Sequence, residues 1–278
     1  MINITTLSEN TATGNFIAEW GLSVFIDVDG YRILFDTGAG NALIYNAKIL
    51  DVDFSLIDKI ILSHGHFDHT GGLADLLEII ANDIEVLGHP DIWTLKYSCK
   101  QNQAKRYIGI QDYPREHFES LGANFILSKE PVWLTENIVT SGEIPMKTDY
   151  EDIDAKLFVK EDLQFKPDTL ADDLCLGIKT RLGLVIILGC SHRGMINNIK
   201  HMQQVTGEER VHCVVGGTHL MAASDVRIEK TIKDLKKIDV KKIGVSHCTG
   251  FKASTELFKH FPGAFFNNNA GTQITLAD

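Results

Sequence analysis

The feature that most restricts how this chain folds is the run His64–His69, with the sequence HGHFDH, between two apolar segments. The preceding segment, Lys59–Ser63, is short and apolar and predicts a β-strand. From Leu73 onward, leucine and isoleucine recur at helical spacing, which predicts an α-helix just beyond Gly71 and Gly72. We therefore expect the run in a strand-to-helix loop, where rigid elements hold polar side chains in fixed positions.

The residue types of this run are those of a metal centre. His64 and His66 can both reach one ion, because Gly65 lets the loop turn between them. Asp68 and His69 add a carboxylate and an imidazole for a second, adjacent ion. Two ions about 3.5–4 Å apart can share a water, lower its pKa and stabilise both the attacking and the leaving oxygen. The run therefore predicts a two-metal centre, with zinc expected and manganese or iron also compatible with these ligands.

The second half of the chain follows the same order of elements three times. Each predicted strand there ends shortly before a histidine, and helical spacing of apolar residues follows each one. The pairs are Leu184–Leu188 with His192, Val211–Val215 with His219, and Ile243–Val245 with His247. Ser254 is expected to cap the last helix. Three histidines delivered in this way favour a shared functional site over three unrelated core residues.

The remaining segments predict the domain organisation. Ser23–Asp29 and Tyr31–Phe35 are rich in β-forming residues and are joined at Asp29-Gly30, which predicts a hairpin. At about residues 89–170 the pattern loosens, and this stretch is predicted to be a lid or insert over the site. The alternative is a set of surface helices with ordinary core aromatics. No Gly/Ser-rich linker interrupts the chain, so we expect one domain over residues 1–278.

Composition limits the partners and the compartment. The 278 residues carry a formal net charge of −10, which argues against a nucleic-acid partner, since that partner usually requires a basic surface. No apolar run approaches the roughly 20 residues of a membrane helix, and the N-terminus does not read as a signal peptide. Five cysteines without a CxxC pair fit reduced thiols. We therefore expect a cytoplasmic protein with a small-molecule substrate and no membrane partner; the oligomeric state is not predicted.

The spacing His64-x-His66-x-Asp68-His69 resembles the signature of the metallo-β-lactamase superfamily. Two further segments are similar to that family: Ile33–Gly38 resembles its early strand and turn, and Ser246-His247 resembles its final metal-binding histidine. The resemblance covers essentially the whole chain. It implies an α/β fold, the four-layer αβ/βα sandwich, with the metals at one edge between two sheets.

A narrower resemblance is to the subgroup that includes the 7,8-dihydropterin-6-methyl-4-(ribofuranosyl)aminobenzene 5′-phosphate synthases. Three motifs carry it: Gly189–His192, Gly216–Leu220 and His247–Gly250. Many members of the subgroup are described only as metal-dependent hydrolases, so the resemblance predicts the subgroup more firmly than the reaction.

The chain departs from the superfamily pattern at two positions. The usual His-x-x-Gly-His motif is absent where Pro167–Asp173 stands, and Gly189–His192 replaces the usual bridging aspartate. We expect His192 to take over one of these ligand roles. Cys190 is the competing ligand, because a thiolate also binds zinc, or else a buried neighbour of the metal. Asp172 is a further candidate to complete a site.

These residues assemble into a predicted ligand set. With His192 in place of the missing motif, we expect one ion to be held by His64, His66 and His192, and the other by Asp68, His69 and His247. Asp68 is also expected to manage a proton as a catalytic residue.

His219 is the second predicted catalytic residue, whether as a proton donor to the leaving group, a group that orients a substrate oxyanion or a ligand. The synthase alternative given below needs a phosphate-binding feature, and Arg193, Thr249 and the backbone at Gly250 are predicted to supply it; the alternative for Arg193 is an ordinary surface charge.

The predicted activity is metal-dependent hydrolysis of an ester, a phosphoester or a related small molecule. The alternatives are a pterin/aminobenzoate-type synthase, as the subgroup implies, and a metal-binding sensor without turnover. A di-iron reductase is not expected, because the flavin domain that usually accompanies it does not fit within 278 residues.

Overall fold

A computed structural model describes residues 1–99, 103–110 and 113–276 of the chain. The strands are β1 (Ile2–Ser8), β2 (Ser23–Val28), β3 (Tyr31–Phe35), β4 (Lys59–Ile61), β5 (Ile84–Gly88), β6 (Leu95–Ser98), β7 (Arg106–Tyr107), β8 (Ala123–Leu127), β9 (Val132–Trp133), β10 (Ile138–Thr140), β11 (Leu157–Glu161), β12 (Gln164–Pro167), β13 (Cys175–Thr180), β14 (Gly183–Leu188), β15 (Val211–Gly217), β16 (Lys242–Ser246), β17 (Phe265–Asn267) and β18 (Gln273–Leu276).

Seven α-helices lie between these strands in the described residues: α1 (Asn41–Ile49), α2 (Phe67–Thr70), α3 (Leu73–Ile80), α4 (Arg115–Ser120), α5 (Met195–Thr206), α6 (Asp225–Ile238) and α7 (Gly250–His260). Short 3-10 helices occur at Phe54–Leu56, Pro90–Trp93 and His247–Thr249. None of the helices in the described residues has the length and apolar composition that a membrane span requires.

The chain divides into two compact units. The first unit contains residues 1–128, 153–172 and 269–276, and the second contains residues 129–152 and 173–268. The stretch at about residues 89–170, predicted to be a lid or insert, contributes strands to both units, and residues 100–102 and 111–112 of it lie outside the described residues. Its role as a lid, and the single-domain organisation, stay predictions.

The main sheet of the first unit has the strand order β18-β1-β2-β3-β4-β5-β8. Strands β18, β1, β2 and β3 pair antiparallel, and β3, β4, β5 and β8 pair parallel. The predicted hairpin is present, with Ile26 opposite Ile33 and Asp29 in the left-handed conformation that its tight turn needs. The histidine run lies between β4 and α3, directly after a strand of the parallel part of this sheet.

Apolar side chains from α1, α3 and α4 cover one face of this sheet. The core includes Leu43 of α1, Leu76 of α3 and Phe118 of α4, packed with Ile60 and Val86 of the strands. Burial of each such side chain stabilises the fold by about 1.5–3 kcal/mol. The helices therefore hold the β4 end rigidly, which is what a metal-binding loop at that end requires.

A second, four-stranded sheet of the first unit has the order β12-β11-β6-β7, with antiparallel pairing throughout. Its small apolar core contains Ile108, Leu157 and Leu170, with Phe67 packed against them. Because Phe67 lies inside the histidine run, this sheet supports the run from the side.

The second unit contains one sheet of order β17-β16-β15-β14-β13-β10-β9. Strands β14, β15, β16 and β17 are parallel, and the strands from β14 to β9 pair antiparallel. Apolar residues of α5, α6 and α7, such as Ile199, Ile232 and Leu257, pack with β14 and β15 in its core. Because β14, β15 and β16 run parallel, their carboxyl ends meet at one sheet edge, and each predicted histidine follows one of those ends.

One predicted boundary is wrong. Ser254 does not cap the last helix: α7 begins at Gly250, four residues earlier, and the Ser254 hydroxyl donates to the Gly250 carbonyl within its first turn. The apolar spacing identified the helix but not its start, because the preceding residues already continue from the 3-10 helix His247–Thr249.

Candidate metal centre

The histidine run is buried and partly helical. Strand β4 ends at Ile61, and α2 places Asp68 and His69 on one helical turn rather than in an open loop. His64 and His69 are completely buried, and His66 and Asp68 nearly so. Imidazole and carboxylate groups are rarely buried without polar or metal partners, since desolvation is costly. The first unit therefore holds all four predicted ligands of the run in fixed positions.

Asp36, which sequence reasoning did not single out, anchors two residues of this loop. Its Oδ1 accepts from the Ser63 amide at 2.7 Å, and its Oδ2 accepts from the Ser63 hydroxyl at 2.7 Å. Oδ2 also lies 2.6 Å from Nδ1 of His69, and both side chains are completely buried. A carboxylate on Nδ1 orients the imidazole and leaves Nε2 to face a metal. The only sequence signal for this role was the Asp36-Thr37-Gly38 turn.

His64 and His66 lie close enough to share one ion. Nε2 of His64 and Nδ1 of His66 are 3.0 Å apart, and Nδ1 of His64 lies 2.9 Å from the Ser63 hydroxyl. Burial lowers the pKa of His66 to about 3, opposed by the charge of Asp68 and assisted by that of Lys96. His66 is therefore a neutral imidazole at physiological pH, which is the form that binds metals.

Gly65 between them has no room for a side chain. A Cβ at this position would overlap the carbonyl oxygen of Ile92. The close approach of these two backbone segments brings His64 and His66 to one side of the loop. The glycine is thus required by packing as well as by the turn that the sequence predicted.

A buried ion pair network fixes the same loop. Lys96 of β6 donates to Oδ1 of Asp172 at 2.8 Å and to Oδ2 of Asp168 at 3.1 Å, and Lys96 is 1% exposed. The other Asp172 oxygen accepts from the Gly65 amide at 2.8 Å. Both carboxylate oxygens of Asp172 therefore have protein partners, so the structure favours a positioning role for this candidate ligand over ligation.

The two carboxylates of this network titrate differently. Burial alone raises the pKa of Asp172, but the charge and hydrogen bond of Lys96 and the Gly65 amide lower it overall. Burial raises the pKa of Asp168, and repulsion by Asp172 adds to that effect, although Lys96 opposes it. Each carboxylate accepts one backbone amide, from Gly65 at Asp172 and from Leu170 at Asp168, so the shorter contact of Lys96 with Asp172 explains why Asp172 is the better stabilised anion. Lys96 stays charged, since both carboxylates outweigh its burial and raise its pKa.

The second unit brings together side chains from the ends of β14 and β15. One potential ligand atom from each of Cys190, His192 and His219 lies within 4.8 Å of the others. The rings of His192 and His219 have centroids 4.2 Å apart. Cys190 and His192 are buried, and His219 is partly buried. Imidazole and thiol groups in this arrangement are typical zinc ligands, so the group fits a divalent metal.

A second group in the same unit shares Cys190. Potential ligand atoms of Cys190, His247 and Cys248 also lie within 4.8 Å of one another. Cys248 donates to the Cys190 carbonyl at 3.3 Å and accepts from the His219 amide at 3.2 Å. Burial alone raises the pKa of the Cys248 thiol, but interactions with the Cys190 and His219 side chains and the charges of His247 and His219 hold it well below its usual range. Cys248 thus has the character of a metal-binding thiolate, a role that its sequence motif did not reveal.

His219 is held in a strained backbone conformation. Its φ is 49°, in the left-handed region that non-glycine residues seldom adopt, and His247 has a φ of 51°. Nδ1 of His219 is buried and has no hydrogen-bond partner within the described part of the chain. Burial alone lowers the pKa of His219, but its interaction with Cys248 and the charge of Asp173 raise it overall. The protonated imidazole is therefore favoured more at His219 than in a free histidine.

The predicted substrate-binding residues differ in their availability. The Arg193 amide donates to Asp173 at 2.9 Å, while its Nε is buried without a partner in residues 1–99, 103–110 and 113–276. The Thr249 hydroxyl donates to the Ser246 carbonyl at 2.7 Å and lies 3.0 Å from the Thr218 hydroxyl. Gly250 has a φ of 74° and a Cβ there would lie 2.9 Å from Met221. Arg193 is thus the most available donor of the three.

The chain is similar in sequence to known proteins over most of its length. Residues 21–159 match the family model described as the metallo-beta-lactamase superfamily. A relative from Methanocaldococcus jannaschii, named 7,8-dihydropterin-6-methyl-4-(beta-D-ribofuranosyl)-aminobenzene-5′-phosphate synthase, is 37% identical over 98% of this chain and 96% of its own length. A ribonuclease Z from Clostridioides difficile is 28% identical over 58% of this chain and 61% of its own.

Among solved structures, one described as a metal-dependent hydrolase of the beta-lactamase superfamily is similar over 100% of both chains. Its TM-score is 0.86 and its sequence identity is 29%. A human short-form tRNase Z, with a TM-score of 0.53 and 13% identity, shares the fold alone. The predicted αβ/βα sandwich and the predicted family resemblance are confirmed by these matches.

Proposed function

The chain belongs to the metallo-beta-lactamase superfamily, and we propose on that premise that it is a metal-dependent hydrolase of an ester, a phosphoester or a related small molecule. The observation that carries this proposal is the burial of imidazole and carboxylate groups in the histidine run of the first unit and of imidazole and thiol groups in close clusters of the second unit. Such donor sets are expensive to bury unless they are hydrogen-bonded or bind a cation.

We assign two divalent ions, with zinc expected, to six ligands. One ion is held by His64, His66 and His192, and the other by Asp68, His69 and His247. Neutral His66 supports this assignment, as does the Asp36 carboxylate that orients His69. Cys190 remains a competing ligand.

When bound, such ions lower the pKa of a water and stabilise negative charge on substrate oxygens. The chain's own residues do the rest. Asp68 would hold one of the ions and would accept the proton that the attacking water releases. His219, whose pKa is raised, donates a proton to the leaving group. Arg193 binds an anionic part of the substrate, and Thr249 and Gly250 shape the adjacent backbone.

A metal-content experiment tests the ligand assignment. We expect His64→Ala and His247→Ala each to lose metal and to lower turnover by at least about tenfold, because one missing ligand leaves an incomplete coordination shell. The readout is elemental analysis of the purified variants beside kinetics. His260→Ala, an exposed histidine at the end of α7, is the control and should retain both. Full metal and full turnover in His64→Ala would refute the assignment.

A second function is favoured by one specific observation, the 37% identity over nearly the full length of the M. jannaschii synthase. On this proposal the same centre joins a pterin to an aminobenzoate-type ribose phosphate rather than hydrolysing a bond. The new bond forms as a leaving group departs from the pterin with its electron pair and the aminobenzoate-type partner loses a proton. We propose to assay pterin and aminobenzoate ribose-phosphate substrates beside phosphodiesters and esters. Turnover of the first set only would replace hydrolysis by synthesis, and a metal-loaded protein inert toward both would favour a sensor.

A further inference from the structure

Arg227 lies in the first turn of α6, in the second unit, and is anchored by one end of its guanidinium group. Nη1 donates to the carbonyl oxygen of Asp152 at 2.7 Å. This contact anchors one side of the guanidinium group. The other side is the edge formed by Nε and Nη2.

The Nε and Nη2 edge is buried and unused. Neither atom has a hydrogen-bond partner in the residues that the structure describes, although both are inaccessible to solvent. A buried guanidinium donor without an acceptor costs free energy, and Arg227 has two such donors side by side. This edge presents two parallel N–H bonds, which is the geometry that matches two oxygens of a phosphate or a carboxylate.

The neighbouring carboxylate Glu151 does not fill this edge. Its Oε1 accepts from the Ile196 amide at 2.8 Å, and its Oε2 accepts from the Asn197 amide at 2.9 Å and from the Thr148 hydroxyl at 3.0 Å. Glu151 is therefore committed to the start of α5. The charge of Arg227 favours ionised Glu151 and so acts to lower its pKa. Burial has the larger effect, and the pKa of Glu151 is raised overall.

Arg227 also lies within electrostatic reach of the cluster of Cys190, His192 and His219. Its charge opposes protonation of His219. His219 itself has a buried Nδ1 without a hydrogen-bond partner in the described residues. A phosphate that gives two oxygens to the Arg227 edge keeps two more for other donors, whereas a carboxylate bound through both oxygens keeps none, which favours a phosphate.

We propose that the Nε and Nη2 edge of Arg227 binds a phosphate group of the substrate. Arg227 is a binding residue in addition to the predicted Arg193, and its anchor at Asp152 uses Nη1 and leaves Nε and Nη2 for the phosphate. The inference rests on the proposed function in one respect, namely that the bound phosphate belongs to the substrate of the metal centre.

Phosphate titration into the full-length, metal-loaded protein tests this proposal. Calorimetry with inorganic phosphate near neutral pH compares the wild type with Arg227→Gln and Arg227→Lys, with elemental analysis of each. We expect Arg227→Gln to weaken phosphate binding by at least about tenfold, since two charge-assisted hydrogen bonds are lost. The phosphate affinity of Arg227→Lys should lie between those of the wild type and Arg227→Gln, because an ammonium group keeps the charge but not the two parallel donors. The matched control is Arg210→Gln, an exposed arginine paired with Glu208, which should bind as the wild type does.

Several results would overturn the proposal. The first is an affinity of Arg227→Gln for phosphate within about twofold of that of the wild type. The second is a wild type that does not bind phosphate. The third is a loss of bound metal together with phosphate binding in the variants. Acetate binding as tight as phosphate would overturn the choice of phosphate. If Arg227→Gln does not fold, Arg227→Lys decides, and wild-type affinity in it would refute a role for the paired donors. A wild type that binds phosphate through Arg227 but turns over no substrate would defeat the proposed function alone.

Discussion

At the scale of single residues, the first unit shows how non-ligand side chains determine what the ligands can do. Asp36 adopts a φ of 60° and reaches both Ser63 and His69 from the turn after β3. Aspartate tolerates this left-handed conformation better than most residues do. Its carboxylate sets the orientation of His69 and so decides which ring nitrogen is presented to a metal.

Asp36→Asn tests this role. We expect metal affinity or turnover to fall by about 10–100-fold. The neutral amide of asparagine has a single acceptor oxygen, so it cannot accept hydrogen bonds from both Ser63 and His69 as the carboxylate does. Metal titration and kinetics give the measurement. Asp51→Asn is the matched control, since Asp51 is exposed and has a similar φ of 54°. Equal losses in both variants would mean that the backbone conformation, not the carboxylate, matters.

Gly65 gives a second prediction at this scale. Gly65→Ala should lower metal content and thermal stability, because the new Cβ meets the Ile92 carbonyl oxygen and pushes His64 and His66 apart. Elemental analysis and thermal unfolding give the readouts. Gly263→Ala is the control: Gly263 has open space around its Cβ position and should tolerate the change. Unchanged metal content in Gly65→Ala would contradict the packing argument.

At the scale of elements, the four-stranded sheet of the first unit acts on the loop after β4 through Lys96 and Asp172. Strand β6 contributes Lys96, and the segment after β12 contributes both Asp168 and Asp172. Removal of one partner of a buried ion pair leaves the other charge buried without a counter-charge, which lowers the free energy of unfolding by about 3–5 kcal/mol. This sheet therefore stabilises the histidine run through charge as well as through the packing of Phe67.

The acid dependence of stability gives a prediction for this network. The pKa of Asp172 is lower in the folded protein than its usual value of 3.8. Its ionised form therefore stabilises the fold above pH 3.8, and this contribution is lost as the pH falls through the folded pKa. The difference in unfolding free energy between the wild type and Asp172→Asn should be constant above about pH 5 and shrink below it.

Denaturant unfolding across this pH range provides the measurement. Asp91→Asn, on a half-exposed side chain of the first unit, is the control for the removal of a carboxylate outside the Lys96 network. A difference between the wild type and Asp172→Asn that stays constant down to pH 3 or grows there would contradict a depressed pKa at Asp172.

At the scale of the whole molecule, the chain carries a net charge of −10, and its candidate metal ligands include carboxylates and thiols that bind metals as anions. Ions that bind the folded state alone stabilise it by mass action. Much of the protein's stability is therefore expected to depend on metal, in addition to the apolar cores of the two units.

Metal removal tests this dependence. Treatment with a chelator should lower the Tm of the wild type, and readdition of zinc should restore it, because ligand binding favours the folded state. His64→Ala and His247→Ala should show a smaller shift, while His260→Ala should shift as the wild type does. Identical Tm values with and without metal would mean that the clusters bind no ion that matters for folding.

The sequence by itself determined the local elements, the histidine-bearing strand ends and the family. Apolar periodicity identified the hairpin, β14, β15, β16 and the helices that follow, because these patterns depend on near neighbours in the chain. The spacing of the run identified four potential ligands for the same reason. A capping residue such as Ser254 was misassigned, because a polar residue near a helix start is a weak local signal.

Only the tertiary structure decided which distant side chains act on these ligands. Asp36 and His69 are 33 residues apart, and Asp172 and Gly65 are 107 apart. In the sequence, Asp172 looked like a candidate ligand, and Arg227 looked like any helical arginine. Their roles depend on which strand ends and loops come into contact and on which polar atoms become buried. Long-range packing determines both of these features, so they cannot be inferred from residues that are neighbours in the sequence.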